Sequence, residues 1–102
     1  MIITTSDVVP GRQTGEVLGV VRGASMQGLV TILSSFTDPR RVEQMLADTR
    51  EVEEKALAEM TERAEELGAD AIMGLRVVPT AYEYDNAFKY HCLVYGTAVK
   101  LG

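Results

Sequence analysis

Hydrophobic residues repeat at helical spacing through the middle of the chain, from Pro39 to Leu67. They recur every three or four positions, and no glycine or further proline interrupts them. Asp38 or Thr37 can cap the first turn, and Gly68 is suited to ending the helix. We therefore predict one long helix over Pro39–Leu67. Its apolar stripe comprises Val42, Met45, Leu46, Thr49, Val52, Ala56, Met60, Ala64 and Leu67.

Shorter segments with β-branched or alternating apolar residues flank this helix and predict strands. The turn-forming pair Asp85-Asn86 separates the last two, and Pro79 places its strand at a sheet edge or in a bulge. Leu29–Phe36 has the spacing of a one- to two-turn helix, and Gly23–Gly28 either extends the second strand or forms a bend. This order predicts a single α+β domain over residues 1–102, with an antiparallel sheet packed against one long helix. The predicted strands are Ile2–Thr5, Glu16–Arg22, Ala71–Tyr84 and Phe88–Leu101.

Two features of this pattern predict that the protein is a homo-oligomer. A helix of 29 residues would be roughly 44 Å long, whereas a compact domain of this size has a radius of gyration of about 13 Å. The last strand is apolar on both faces, and a single helix can cover only one of them. Another subunit would then cover the second face. The alternative is a helix that breaks near Ala47–Thr49.

Composition and charge exclude several classes of partner. The chain has 46% hydrophobic residues and a net charge of −5, which is typical of a globular domain that binds neither nucleic acid nor anionic membranes. No apolar run is long enough to span a membrane, and Met1–Thr5 lacks the basic start of a signal peptide. The single cysteine, Cys92, fits a reducing compartment. We therefore expect a cytoplasmic protein.

His91 and Cys92 are the candidate metal ligands, because soft metals prefer imidazole and thiolate groups. They are adjacent on a predicted strand, so their side chains should leave opposite faces and act as alternatives rather than as one site. Symmetry-related copies around an oligomer axis would then have to supply the remaining ligands. The alternative is structural, with Cys92 a small buried hydrophobe and His91 a surface or interface residue. No catalytic residue is predicted, and no cofactor other than a transition metal.

Several motifs resemble those of the YbjQ-like family of small bacterial proteins. They are Leu67–Gly74 and Tyr95–Val99, with further similarity at Met1–Thr5 and Leu18–Val21. The resemblance implies a dodecin-subunit-like fold that assembles as a ring-shaped homopentamer, and a family description as heavy-metal-binding proteins. The sequence departs from the family at Ser34–Val42, where members usually carry a glycine-rich segment that contains an arginine.

The residues and the resemblance together predict a homo-oligomeric binding or structural module that lacks a catalytic constellation. Its predicted macromolecular partner is a further copy of itself, in a pentamer by resemblance. The alternative function is heavy-metal binding by symmetry-related copies of His91 or Cys92 at subunit boundaries. A third hypothesis is an enzyme whose site is built across subunits.

Overall fold

The computed structural model describes residues 1–29, 39–84 and 87–102. Within these residues the chain has an α+β fold, as predicted, in which a four-stranded sheet is covered on one face by a single helix. The helix, α1, covers Pro39–Glu66 without a break, so it ends one residue before the predicted end and the broken-helix alternative is wrong. The strands are β1 (Ile2–Ile3), β2 (Thr14–Leu29), β3 (Ala71–Tyr84) and β4 (Ala87–Leu101).

Strand β2 is longer than the sequence pattern predicts. It continues past the predicted end at Arg22, and the segment Gly23–Gly28 extends the strand and pairs with β4 residue by residue. Leu29, which was expected to begin a short helix, therefore ends β2. Outside the described residues lie the rest of that predicted helix, the candidate caps Thr37 and Asp38, and the Asp85-Asn86 turn.

The sheet is mixed, which corrects the predicted antiparallel arrangement. Its strand order is β1-β3-β4-β2, with β1 parallel to β3 and the other two pairs antiparallel. The parallel pair forms because β4 occupies only one edge of β3, and the other edge offers its backbone groups to the amino terminus. The Thr4 N–H donates to the Ile72 carbonyl over 3.0 Å, and the Leu75 N–H donates to the Thr4 carbonyl over 3.0 Å. Pro79 lies farther along β3, where Cys92 of β4 is its partner on one side and no described strand pairs on the other, which is the edge position predicted.

The helix packs on the sheet through residues that are four positions apart. Four members of the predicted stripe are fully buried, namely Val52, Ala56, Met60 and Ala64. The sheet residues in the same core include Val21, Ile72, Cys92, Val94 and Ala98. Leu46 and Leu67 were predicted to be buried, but both are about half exposed, and Asp48 is buried instead. Leu46 and Asp48 are two positions apart, which corresponds to about 200° around a helix, so burial of Asp48 turns Leu46 away from the sheet. Leu67 is exposed because it lies beyond the end of α1.

The junction between α1 and β3 explains the motif around Gly68 and Asp70. Gly68 has a φ of 78°, and its N–H donates to the Glu65 carbonyl over 2.9 Å, while the next N–H donates to the Ala64 carbonyl over 3.1 Å. This is a Schellman motif, whose left-handed position favours glycine. The Asp70 carboxylate then accepts a hydrogen bond from the Leu101 N–H over 2.9 Å. This hydrogen bond connects the segment that follows α1 to the end of β4.

The sheet face that α1 does not cover is called the outer face. One end of it is closed by the chain itself, because Val9, in the loop before β2, packs against Ala71, Met73 and Val99. This end needs no other subunit, contrary to the expectation from the strand pattern. Beyond it the outer face is open. The large hydrophobic residues exposed there include Val20, Met26, Val78, Tyr82 and Tyr95.

Candidate functional site

Strand β4 places His91 and Cys92, the two candidate metal ligands, on opposite faces of the sheet. Cys92 has no exposed surface and lies in the core beneath α1. His91 is partly buried on the outer face, where its neighbours across the sheet are Met26 and Thr80. The two side chains therefore cannot bind one ion within a single subunit, as strand geometry predicted.

The environment of Cys92 is that of a core residue. Burial raises the pKa of its thiol, and the nearby carboxylate of Glu53 raises it further. Metal ions bind the thiolate, so a raised pKa opposes metal binding at neutral pH. Among the described residues, no three His, Cys, Asp or Glu side chains lie close enough together to hold a metal ion. Within the subunit Cys92 packs as a small hydrophobic side chain.

Tyr90 connects the same part of the core to the helix. Its hydroxyl group donates a hydrogen bond to Glu53 Oε1 over 2.9 Å. Burial raises the pKa of Tyr90 to about 12, and the hydrogen bond and the charge of Glu53 contribute to the increase. The phenol therefore stays protonated at neutral pH. It stabilises the packing of α1 on β4 and cannot serve as a general base.

The outer face brings two arginines and a tyrosine into one row across three strands. Tyr95 of β4 is paired with Arg22 of β2 on one side and with Arg76 of β3 on the other. The Cβ atoms of such paired residues are about 5 Å apart, and their side chains share a face. Arg76 donates to the carbonyls of Thr5 and Leu75 over 3.2 and 2.9 Å, which holds its guanidinium towards β1. Arg22 forms no side-chain hydrogen bond or ion pair with any described residue.

A cleft of about 350 Å³ lies beside this row, lined by Val20, Arg22, Leu93 and Tyr95. It combines three apolar or aromatic side chains with the guanidinium of Arg22, which has no partner among the described residues. A second cleft of about 290 Å³ adjoins it around the edge of β2, where α1 ends. Val20 and Arg22 border both clefts, and the second is completed by Val21, Arg63, Glu66 and Leu67.

His91 and Cys92 were the site residues predicted from the sequence, and Arg22 was not among them. Tyr95, on the neighbouring strand, is 40% exposed. One signal was available in the alternation of β2, where Val20, Arg22 and Ala24 share one face. Their partners on β4 and β3 depend on strand order and register, which the alternation alone does not specify.

Within the described residues, no helix is both long and apolar enough to cross a membrane.

Acidic side chains cover the exposed side of α1, where Glu51 pairs with Lys55 and Glu59 with Arg63, both over 3.1 Å. Ion pairs of this kind, on an exposed helix surface, contribute only a few tenths of a kcal/mol. This side of α1 is a solvated surface with no cluster that suggests chemistry.

Comparison with known proteins gives a match over the whole chain. Residues 1–102 match the family model YbjQ_1, described as "Putative heavy-metal-binding". The chain is 34% identical to a UPF0145 protein of Vibrio parahaemolyticus, over 99% of this chain and 98% of that protein. It is 37% identical to a UPF0145 protein of Methanoculleus marisnigri, over 99% and 96% of the two chains. The relatives thus include archaeal as well as bacterial proteins, which corrects the expectation of a bacterial family.

The fold is also found among solved structures. One example is a protein of unknown function of the DUF74 family from Pediococcus pentosaceus, with a TM-score of 0.66 and 20% sequence identity. The match covers 100% of this chain and 98% of that one. The names of these relatives state no activity, and none of them points to catalysis.

Proposed function

The chain belongs to the YbjQ-like family of UPF0145 proteins, and on that premise we propose that it is a non-enzymatic homo-oligomeric module that binds a ligand between its subunits. The open outer face is the observation that carries this proposal. Three strands expose apolar side chains there, among them Val20 at 63% and Tyr95 at 40%. Monomeric proteins rarely expose contiguous apolar patches larger than a few hundred Å². A second subunit would remove this surface from water.

The shape of the chain supports the same proposal. The unbroken helix of 28 residues is about 42 Å long. The radius of gyration is 16.8 Å, compared with about 13 Å for a compact domain of this size. Leu46, near the beginning of the helix, is 55% exposed. In an assembly, a neighbouring subunit would cover this exposed apolar side chain and would give the overlong helix a surface to pack against.

The specific assembly we propose is a pentameric ring of dodecin-like subunits, which rests on the family resemblance. In a ring each subunit presents one surface to the neighbour on one side and a different surface to the neighbour on the other. The open outer face is one such surface, and the beginning of α1 around the exposed Leu46 is another. Cavities between subunits would then repeat around the axis.

Native mass spectrometry of protein purified without an affinity tag or chelators tests this assembly. We expect a homopentamer at micromolar concentration. Leu93→Glu places a charge on the central strand of the outer face and should dissociate the assembly, whereas Ala58→Glu, on the exposed side of α1, should leave it intact. A monomeric wild-type protein would overturn the proposal.

Metal binding is the second candidate function, and the family description supports it. A specific observation on the outer face also favours it, because Met26 is paired with His91 across the strands. An imidazole and a thioether at this spacing are suitable ligands for a soft ion such as Cu(I), and symmetry-related copies could add further ligands. Zinc and copper content per subunit should then fall in His91→Ala or Met26→Ala. Unchanged metal affinity in His91→Ala, Met26→Ala and Cys92→Ala would exclude this function.

A further inference from the structure

We propose that Val20, Arg22, Leu93 and Tyr95 form a binding site for a small organic anion that has an aromatic body. This inference deepens the proposed function, because it names the class of ligand that a binding module of this family would take on its outer face. Its basis is the combination, in one cleft of about 350 Å³, of apolar and aromatic walls with a guanidinium that is unpaired within the described part of the chain.

The charges of the protein are separated between its two sides. The chain carries a net charge of −5, yet Arg22, Arg76 and Lys89 all lie on the outer face. Within the described strands, no Asp or Glu shares that face with them. The acidic residues are concentrated on α1, on the other side of the sheet. An anion that approaches the protein is therefore attracted to the outer face in preference to the helix side.

Arg22 is the cation that is available to the ligand. Arg76 is occupied with backbone carbonyls, whereas Arg22 has no side-chain partner among the described residues. Glu66 borders the adjoining cleft around the edge of β2, but it forms no ion pair with Arg22 within 4.0 Å. A guanidinium binds a carboxylate, sulfonate or phosphate through two parallel hydrogen bonds, which gives such a site its preference for anions.

Tyr95 and its neighbours define the body of the ligand. The phenol ring stands next to Arg22 across the strands and is 40% exposed, so an aromatic group can pack against it. Val20 and Leu93 add apolar surface on either side. Farther along the same face, the Tyr82 hydroxyl donates to Met26 Sδ over 2.9 Å, which links β3 to β2 across the central strand. Met26 and Tyr82 are also exposed, but this hydrogen bond joins them to each other, whereas the cleft lies around Tyr95.

The experiment compares two fluorescent probes of nearly equal shape on the full chain. 1-Anilinonaphthalene-8-sulfonate carries a negative charge, and N-phenyl-1-naphthylamine is its uncharged counterpart. We expect Arg22→Gln to weaken binding of the charged probe on the order of tenfold and to change binding of the neutral probe less than twofold. Arg22→Lys should give an intermediate loss, since it retains the charge without the two-pronged geometry. Arg50→Gln, which removes an exposed arginine of α1, is the matched control and should change neither probe.

Further measurements separate this inference from its alternatives. Tyr95→Leu should weaken both probes, because it removes the stacking surface, and about 0.5 M salt should weaken only the charged probe. Equal losses of both probes in Arg22→Gln would overturn the anion site and leave an apolar patch. Native mass spectrometry of the same samples shows whether Arg22→Gln dissociates the assembly. Dissociation would mean that a second copy of the chain occupies this face, and it would also overturn the anion site. If the wild-type protein is monomeric but still discriminates between the probes, the proposed assembly is overturned and the anion site is retained.

Discussion

Gly23 of β2 lies directly beneath Ala56 of α1, so close that a Cβ atom added to Gly23 would overlap the Ala56 carbonyl oxygen. The same Cβ would stand 2.7 Å from the Met60 backbone nitrogen. Helix and strand are therefore in backbone contact at this point, and only the absence of a side chain permits it. Backbone atoms cannot move aside as a flexible side chain can, so the contact fixes the position of α1 on the sheet.

We predict that Gly23→Ala lowers the free energy of unfolding by about 2–4 kcal/mol, because the helix must lift from β2 and the core beneath it loses packing. Urea denaturation, monitored by circular dichroism, measures this change in the free energy of unfolding. Gly102→Ala is the control, since its Cβ would meet neighbours only at 3.7 Å or beyond, and it should change stability by less than about 0.5 kcal/mol. Equal stability of the two variants would contradict the close approach.

Tyr90→Phe tests the hydrogen bond between β4 and Glu53. Loss of the hydroxyl should cost about 1 kcal/mol at neutral pH, because the Glu53 carboxylate then loses a donor in a partly buried position. The pH dependence has a definite sign. The pKa of Tyr90 is about 12 in the folded protein, compared with its ordinary value of 10.0. Below pH 10 both states hold the proton, and between pH 10 and 12 only the folded state does, so stability falls with rising pH.

Across that interval the wild type should lose on the order of 2 kcal/mol more stability than Tyr90→Phe, since each pKa unit corresponds to about 1.4 kcal/mol. Absorbance of tyrosinate near 295 nm, measured on both proteins, gives the pKa of Tyr90 by difference. A Tyr90 that titrates near pH 10 in the folded protein would contradict the burial and hydrogen bonding described above.

The long helix and its sheet partners could be predicted because their signals are local. Periodicity and the absence of glycine and proline located α1 to within one residue, and Gly68 marked its end. The burial of Asp48 in place of Leu46 could not be predicted in this way. Which side of a helix is buried at a given turn depends on how it crosses a twisted sheet, and that is a tertiary property.

The same distinction applies to the functional surface. Strand alternation correctly separated His91 from Cys92, since that relationship lies within one strand. The row Arg22–Tyr95–Arg76 joins three strands that are distant in sequence, and it depends on strand order and on register. Val9 also covers one end of the outer face from within a loop, a contact for which the sequence offers no periodic signal.

Asp70→Ala tests the connection between the helix exit and the end of β4. The carboxylate accepts the Leu101 N–H in an exposed position, so its removal should lower the free energy of unfolding by about 1 kcal/mol. Asp70→Asn retains a carbonyl oxygen as acceptor and should recover most of that loss. Protection of the Leu101 amide against hydrogen exchange should decrease in Asp70→Ala and persist in Asp70→Asn. Equal exchange in all three proteins would show that this hydrogen bond does not form in solution.

Cys92 should react slowly with thiol reagents, because its sulfur is buried and burial raises the pKa of the thiol. We expect labelling by 5,5′-dithiobis(2-nitrobenzoate) at pH 8 to be at least about 100-fold slower in the native protein than in denaturant, since reaction requires opening of the core. Cys92→Ser should destabilise the fold by about 1–3 kcal/mol, because it buries a hydroxyl in an apolar site. Cys92→Ala should cost less. Zinc that slowed native labelling further, in proportion to bound metal, would identify Cys92 as a ligand. Native labelling as fast as in denaturant would place the thiol outside the core.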